Sequence, residues 1–458
     1  MIENDAFKLL LINLFHLNPD DIANIFCTTF NKMMVLIVTL ADKHQACPYC
    51  GFTAPKIKEY VTKEITHSAL TTQKCIIKYR ARRYKCPCCG KTYYEFNPFV
   101  FKSQKISILT VHNILKDLKD FNETFTSVAR RYHVSPTSVS TIFDNHVDIG
   151  RNPLPEIINF DEVYAFKSEK SKYVCVLLDF KKQIPVDVLP NRKKEYLLNY
   201  FQKIPLEERK KVKYACSDMY EVYRDVVHKV FPEAKHLLDY FHLSQDFHKK
   251  MNEVRIKVMK GYKDNKASDE YYLLKKFNWL LFKNPEDEDK YGRLFDVERE
   301  RKYNSHFKSY MNYYDLRRKL LEINNDLTIC YSLKLELVDF YSKSTIDNAK
   351  VNLENLIRSC IDTNIDEMIA FSNNLINWKQ EIINSFTIVG TEYKVEADKG
   401  QVVVCNKKVN NAIIENRNKI IKCIKNNANG YTNWSRFRNR VMYVLDPNTT
   451  FSLEPREK

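Results

Sequence analysis

The sequence predicts a mixed α/β fold carrying a large all-helical insertion, behind two small N-terminal modules. Three observations predict it. There are two CxxC knuckles before residue 90, a pair of short helical stretches meeting at "HVSP", and an alternation of strands and helices that begins near residue 155. At 458 residues the chain is longer than one compact core allows. Lys and Arg exceed Asp and Glu by 16, which favours a polyanion such as nucleic acid over an acidic small molecule. With eight glycines and no Ser/Gly- or Pro-rich tract, long flexible linkers are not expected.

Thirteen cysteines would suit a secreted protein, but "MIENDAFKLLLINLF" has acids where a signal peptide carries positive charge. Reduced thiols in the cytoplasm are therefore expected. The longest apolar runs, "MMVLIVTLA" and "LLLINLF", are roughly half of a membrane span, so no membrane partner is expected.

Residues 1–100 read as a zinc-ribbon domain. "ACPYCG" supplies Cys47 and Cys50, and "KCPCCG" supplies Cys86 and Cys89 after a 35-residue gap. Each pair ends in a glycine that lets the chain turn, so that both sulfurs face one ion, and two such knuckles make a closed, structural four-thiolate Zn²⁺ site. Cys88 lies inside the second knuckle and is an alternative ligand. Between the pairs, "KCIIKYRARRY" alternates as a ribbon strand does.

Residues 101–150 read as a helix-turn-helix. Ala129, Val134, Val139 and Ile142 have its spacing, Ser135 is a good N-cap, and Pro136 suits the first helical position. The turn position that is often glycine is His133, which must accept an unfavourable backbone conformation. Arg130 and Arg131 are placed to meet phosphates, and Thr137, Ser138 and Thr141 face outward for modest base reading.

Residues 151–245 are expected to form the first part of a catalytic core. "EIINFDEVYAF", "KYVCVLLDFK" and "QIPVDVLPN" read as three antiparallel strands, followed by the helix "KKEYLLNYFQKI". A strand ending at Asp218, a helix, and a strand ending at Asp239 and His242 complete the series. That order is the order of an RNase H-like sheet, in which the first and fourth strands are neighbours. Asp161 and Asp218 would then lie side by side and hold divalent metal, since adjacent carboxylates repel unless cations sit between them. Glu162 should point to the opposite side of the strand. Asp239 and His242 are expected next to the metal or the DNA, with a helix cap and a packed histidine as the plainer alternative.

The 246–389 segment has helical texture, with apolar residues every three or four positions, and its start is basic at Lys249, Lys250, Arg255, Lys257 and Lys260. Residues 390–458 return to the core through the hairpin-like "GTEYKVEADKGQVVVCNKK" and a helix. On that helix Ile413, Ile420 and Ile424 are expected to pack, leaving Asn411, Glu415, Asn418 and Lys422 on another side, with Asn418 and Lys422 able to touch a DNA backbone.

Together these residues resemble the DDE transposases of bacterial insertion sequences of the ISL-three type, over nearly the whole chain. The resemblance rests on the paired knuckles ahead of the helical pair, "NFDEVYAF", "SDMYEVYRDVVHKVFPEAKHLLDYFHL", and "IENRNKIIK" followed by "NGYTNWSRFRNRV". The chain departs from the family at Asn416, where glycine is frequent, and at "NNAN", where basic residues are. The resemblance implies a triad of Asp161, Asp218 and Glu415 holding Mg²⁺ or Mn²⁺, with double-stranded DNA (transposon ends and target) as partner. It also implies work at the bacterial nucleoid. Joining two DNA ends would call for a homodimer. The alternative is a catalytically inactive DNA-binding regulator derived from a transposase. An RNA-guided nuclease fits less well, because the ribbon here precedes the core.

Overall fold

The structure is a computed structural model that describes residues 2–43, 46–68, 70, 72–101, 104–166, 171–395 and 402–456. The N-terminal unit begins with α1 (Ile2–Leu14), followed by β1 (Ile22–Phe30), β2 (Met33–Leu40), β3 (Lys56–Thr66), β4 (Cys75–Lys85) and β5 (Thr92–Tyr94). Their order is β1-β2-β4-β3, with β5 pairing β4. Alternation decides what this sheet buries: Cys75, Ile77, Tyr79 and Ala81 of β4 face Leu11, Ile12 and Phe15, which come from α1 and the turn after it. Asn31 and Lys32, both at positive φ, make the two-residue turn of the β1–β2 hairpin.

Three helices follow, α2 (Ile108–Asp117), α3 (Phe125–Arg131) and α4 (Pro136–His146). Ser107, Thr124 and Ser135 cap them, each side chain accepting from a backbone N–H of the first turn. His133, in the short link between α3 and α4, stands at φ +54°, a left-handed conformation that glycine adopts more readily. These helices share a core with the C-terminal end of the chain. The buried Arg440 donates to the carbonyls of Asp120 and Glu123, and Tyr443 Oη donates to that of Leu115.

The central sheet consists of β6 (Ile157–Val163), β7 (Val174–Asp179), β8 (Pro185–Leu189), β9 (Tyr214–Ser217) and β10 (Lys235–Leu238), in the order β10-β9-β6-β7-β8. The first three strands are antiparallel, whereas β9 and β10 run parallel to β6. Helices α5 (Lys194–Gln202), α6 (Leu206–Arg209) and α7 (Glu221–Val230) lie between these strands in sequence. Both faces are covered, which is why "VCVLLD" is an unbroken buried run. Ile158, Phe160, Cys175 and Leu177 pack on Leu197, Phe201, Tyr223 and Val226 of α5 and α7. Val163, Val174, Val176 and Leu178 pack on the opposite side.

Helix α8 (Tyr240–Lys260) starts directly after β10, so "DYFHL" is a strand-to-helix junction rather than a strand. Asp239 takes the extended backbone of the residue before a first turn. The insertion then contains α9 (Asp269–Lys276), two small hairpins, β11 (Glu288–Asp289) with β12 (Gly292–Arg293) and β13 (Lys302–Asn304) with β14 (Ser309–Met311), and α10 (Tyr313–Glu322). It continues through α11 (Asn325–Lys343), α12 (Ala349–Asp362), α13 (Asp366–Asn377) and α14 (Lys379–Asn384). It is therefore not all-helical: Gly292 and Lys308 adopt positive φ, which turns the chain where a helix would have continued. Arg255 is not part of a basic face, since it is buried and donates to the Leu274 carbonyl. An antiparallel hairpin, β15 (Ile388–Val395) and β16 (Val402–Lys408), leads back to α15 (Ala412–Asn427) and α16 (Trp434–Leu445).

Phe160 sits among the rings of Phe201, Tyr223 and Phe231 with centroids 5.6 to 6.4 Å away. Phe160→Ala should cost about 3–5 kcal/mol through lost burial and the cavity it leaves, read as a lower urea midpoint.

Candidate functional site

Two constellations stand out. The first is the sulfur cluster. Gly51 and Gly90, at φ +75° and +71°, donate backbone N–H bonds to the carbonyls of Cys47 and Cys86, so the two knuckles are built alike. Cys47 and Cys89 sulfurs are 3.7 Å apart, and those of Cys50 and Cys86 are 3.5 Å apart. Two thiolates on one tetrahedral zinc would be about 3.8 Å apart, given Zn–S bonds of about 2.3 Å. The four sulfurs therefore fit zinc. Cys88 is exposed and stands outside the cluster.

The second constellation lies at the C-terminal ends of β6, β9 and β10. Their pairing sets Asn159 opposite Cys216, and Leu238 opposite Ser217. Carried one or two residues further, the same offsets put Asp161, Asp218 and Asp239 level with one another on three adjacent parallel strands. Within β6, Phe160 points towards α5 and α7, so Asp161 points the other way, towards α15. Glu162 returns to the first side, where it pairs with Arg192.

Helix α15 closes the row from above. Asn159 donates to the Asn410 carbonyl and to Asn411 Oδ1, while Asn411 donates from its side chain to the Phe160 carbonyl and from its backbone to Asp239 Oδ1. These bonds fix the start of α15 against β6. One turn on, Glu415 has a carboxylate oxygen within 4.8 Å of ligand atoms of both Asp239 and His242. One further turn on, the buried Asn418 donates to Asp161 Oδ2 at 2.8 Å.

Burial pushes the Asp161 carboxyl up to about 7, and the charge of Asp218 adds to the effect. Burial likewise takes Asp218 up to about 6, opposed by the nearby His242 imidazole. Asp239 is raised too, first by burial, with Glu415 contributing. Asp218 Oδ1, Asp239 Oδ2, Asn418 Oδ1 and His242 Nε2 are buried with no hydrogen-bond partner among the described residues. Unsatisfied oxygens on crowded carboxylates are the donor set of a hard divalent cation. A cleft lined by Tyr341, Asn406 and Lys408 opens onto Asp239 and Glu415.

The residues expected to touch DNA divide. Arg130, Thr137, Thr141 and Lys422 are exposed, and Arg130 lines a surface cleft with Thr124, Asn427 and Arg436. Ser138 is half-buried, its N–H bound by the Ser135 cap. Two placements correct the sequence reading. Arg131 is engaged by Asp117 and Glu123, so its charge is already answered within the helical unit. Asn418 is not on an outer face: the most buried positions of α15 are Ile414, Asn418, Ile421 and Ile424, while the expected Ile413 and Ile420 are half-buried against the same core. The cause is the bond to Asp161, which draws an amide inward where an apolar side chain was expected. The roles of Asn159 and Asn411 went unread, although an asparagine inside the apolar run "IINF" was a signal that something polar faces it.

The amino-acid sequence has matches among known proteins. A transposase family model of the ISL-three type matches residues 158–397, more than half of the chain, taking in Asp161, Asp218, Asp239 and His242 and ending before Glu415. The transposase for insertion sequence element IS1001 of Bordetella parapertussis is 19% identical over 408 residues, which cover 89% of this chain and 90% of that protein. The class is thus that of the transposases, enzymes that act on DNA. Within it, the chain belongs to the ISL-three family of insertion-sequence transposases. No helix among the described residues is long and apolar enough to cross a membrane.

Asn418→Ala should cost about 1–3 kcal/mol by stripping a donor from a buried carboxylate. The loss in urea unfolding should be larger at about pH 8, where Asp161 is ionised and needs that donor most, than at about pH 6. A thiol-blocking mercurial should release zinc held by the cysteine cluster, and Cys86→Ser should abolish that release, measured with a colorimetric zinc chelator.

Proposed function

We propose that this transposase cuts and joins DNA strands by metal-dependent phosphoryl transfer of the DDE type, with Asp161, Asp218 and Glu415 as the acids that hold Mg²⁺ or Mn²⁺. The observation that carries the reading is the level row of carboxylates beneath α15, Asp161 and Asp239 buried and Asp218 half-buried, in which Asp218 Oδ1 and Asp239 Oδ2 have no partner in the described chain. The strand order, with parallel β6, β9 and β10 beside antiparallel β7 and β8, supports an RNase H-like core.

Bound there, divalent ions would supply Lewis-acid activation of an attacking water or 3′-hydroxyl and counter-charge for the leaving oxygen. The chain's own part is to position and to bind. Asp161 is oriented by the Glu162 N–H at Oδ1 and by Asn418 at Oδ2, each oxygen keeping a lone pair for a cation, and Asp218 presents Oδ1, which nothing in the described chain bonds. His242, in the first turn of α8, stands beside Asp239 at 3.9 Å and is placed to orient water or a phosphate oxygen. Lys408, in the cleft next to Glu415, suits a DNA backbone leading to the acids. The cysteine-knuckle domain and the α3–α4 pair, read as a zinc ribbon and a helix-turn-helix, would bind the terminal inverted repeats through Arg130, Thr137, Ser138 and Thr141. Lys422 on the outer side of α15 would add a phosphate contact. Two ends held together call for two copies of the chain.

Asp161→Asn should reduce Mg²⁺-dependent nicking of DNA carrying the element's ends by about a thousandfold or more, because several kcal/mol of charge stabilisation depends on the metal. Binding of those ends in a gel-shift assay should survive. Unchanged nicking in the variant would remove the DDE assignment, and an absence of nicking in both proteins would favour the DNA-binding regulator.

A pH dependence follows from the same acids. Their folded-state values lie above the ordinary 3.8, so ionising them costs stability as pH rises from about 4 towards 7. Mg²⁺ favours the ionised forms. The rise in melting temperature produced by Mg²⁺ should therefore grow between about pH 5 and pH 8, and should vanish in the double variant D161N/D218N, as followed by thermal unfolding with and without the ion.

A further inference from the structure

On the far side of β10 from the acid row, three side chains from three separate elements converge. His228 comes from the last turn of α7, His236 from β10, and Glu381 from α14 at the end of the insertion. One ligand atom of each lies within 4.8 Å of the other two, and His228 Nε2 stands 3.9 Å from Glu381 Oε1. Glu381 and His236 are almost wholly buried, whereas the His228 side chain is 55% exposed.

Ser217 Oγ lies 2.9 Å from both the Asp218 carbonyl and His236 Nε2. When Ser217 donates to that carbonyl it accepts from His236 Nε2–H, the tautomer in which Nδ1 bears a lone pair and can ligate a metal. Nδ1 is buried without a hydrogen-bond partner among the described residues. An imidazole lone pair, a second imidazole and a carboxylate, with one side open to solvent, make a two-histidine, one-carboxylate donor set, which suits zinc or a similar transition metal and is a poor site for Mg²⁺. Ligands on one tetrahedral zinc stand about 3.3 Å apart, given bonds of about 2.0 Å. The exposed His228 is free to close the 3.9 Å that separates it from Glu381. Nearby Arg224 is occupied, lying over the Trp378 ring at 4.4 Å and donating to the Asn377 carbonyl.

We propose that His228, His236 and Glu381 form a second transition-metal site, of the zinc class, which clamps the end of the helical insertion to the central sheet. The polypeptide already joins these parts there: Asn384 donates to the His236 carbonyl at 2.9 Å, and the Trp378 ring lies against His236. A metal adds a bond between α7, β10 and α14 that does not depend on the distant cysteines. It also stiffens the hydrogen-bonded path from His236 through Ser217 to the backbone of Asp218. The assignment does not rest on the chemistry proposed for the acids, and it stands or falls separately.

The test uses the full chain equilibrated with Zn²⁺ in excess Mg²⁺, desalted, and analysed for zinc by plasma emission spectrometry. The protein should retain one more equivalent than His228→Ala, a change at an exposed position that leaves the core intact. Glu381→Gln should show the same deficit. Zinc held by the cysteine cluster is common to all three and cancels in the comparison. Added Zn²⁺ should also raise the melting temperature of the unaltered protein more than that of His228→Ala. Equal zinc content in the unaltered protein and His228→Ala would overturn the proposal.

Discussion

The structure depends on one electrostatic constraint, the crowding of carboxylates at the level ends of three parallel strands where water is largely excluded. An ion in such surroundings costs several kcal/mol of lost solvation. One hydrogen bond to a charged group returns only about 1.5–3 kcal/mol. Asp161 receives two donors, the Glu162 backbone N–H at Oδ1 and the Asn418 side chain at Oδ2, and burial still pushes its carboxyl up to about 7 and that of Asp218 up to about 6. A divalent cation, as proposed, would answer several such groups at once. The asparagines, the helix above and the histidine beside them are arranged around that need.

Helix α15 shows how the need shapes the packing. It presents Ile414, Ile421 and Ile424 to the core, but with an amide in the middle of the stripe. The Asn159–Asn411 pair does the same work at its start, satisfying buried polar groups mutually and setting the angle at which the helix leaves the sheet. Glu415 reaches Asp239 and His242 because of that angle. A fully apolar seam would have packed as well, but nothing would then have selected one rotation of the helix over its neighbours.

The insertion is tied into the site through its first turn. Asp239 and His242 sit where β10 becomes α8, and the Tyr240 ring stacks on Tyr341 of α11 at 3.7 Å. At the other end of the polypeptide, α2 to α4 share their core with α16 and with one face of the sheet. The helices proposed to read DNA and the acids proposed to cut it thus belong to one continuous packing unit. Arg440 and Lys119 reinforce it by donating to backbone carbonyls across some 320 residues of sequence. The cysteine cluster sits instead beside the turn between β4 and β5, with its own small core of Cys47, Tyr84, Cys86 and Tyr93.

Local chemistry was legible in the amino-acid sequence wherever it depends on near neighbours. The four cysteines, the Ser135–Pro136 helix start, the strained turn at His133 and the strand that ends just before Asp218 are all short-range patterns, because caps, turns and alternation are set within a few residues, whereas β6 continues past Asp161 to Val163 by pairing with β7. What only the tertiary structure decided were the relations between distant segments. It showed that Asp239 stands level with the other two acids, that Asn418 turns inward, that Arg131 is spent on Asp117 and Glu123, and that hairpins interrupt the insertion. The rotation of a helix and the free charge of an arginine are fixed by what packs against them. A periodic sequence leaves those choices nearly equal in energy until its partner arrives from elsewhere in the chain.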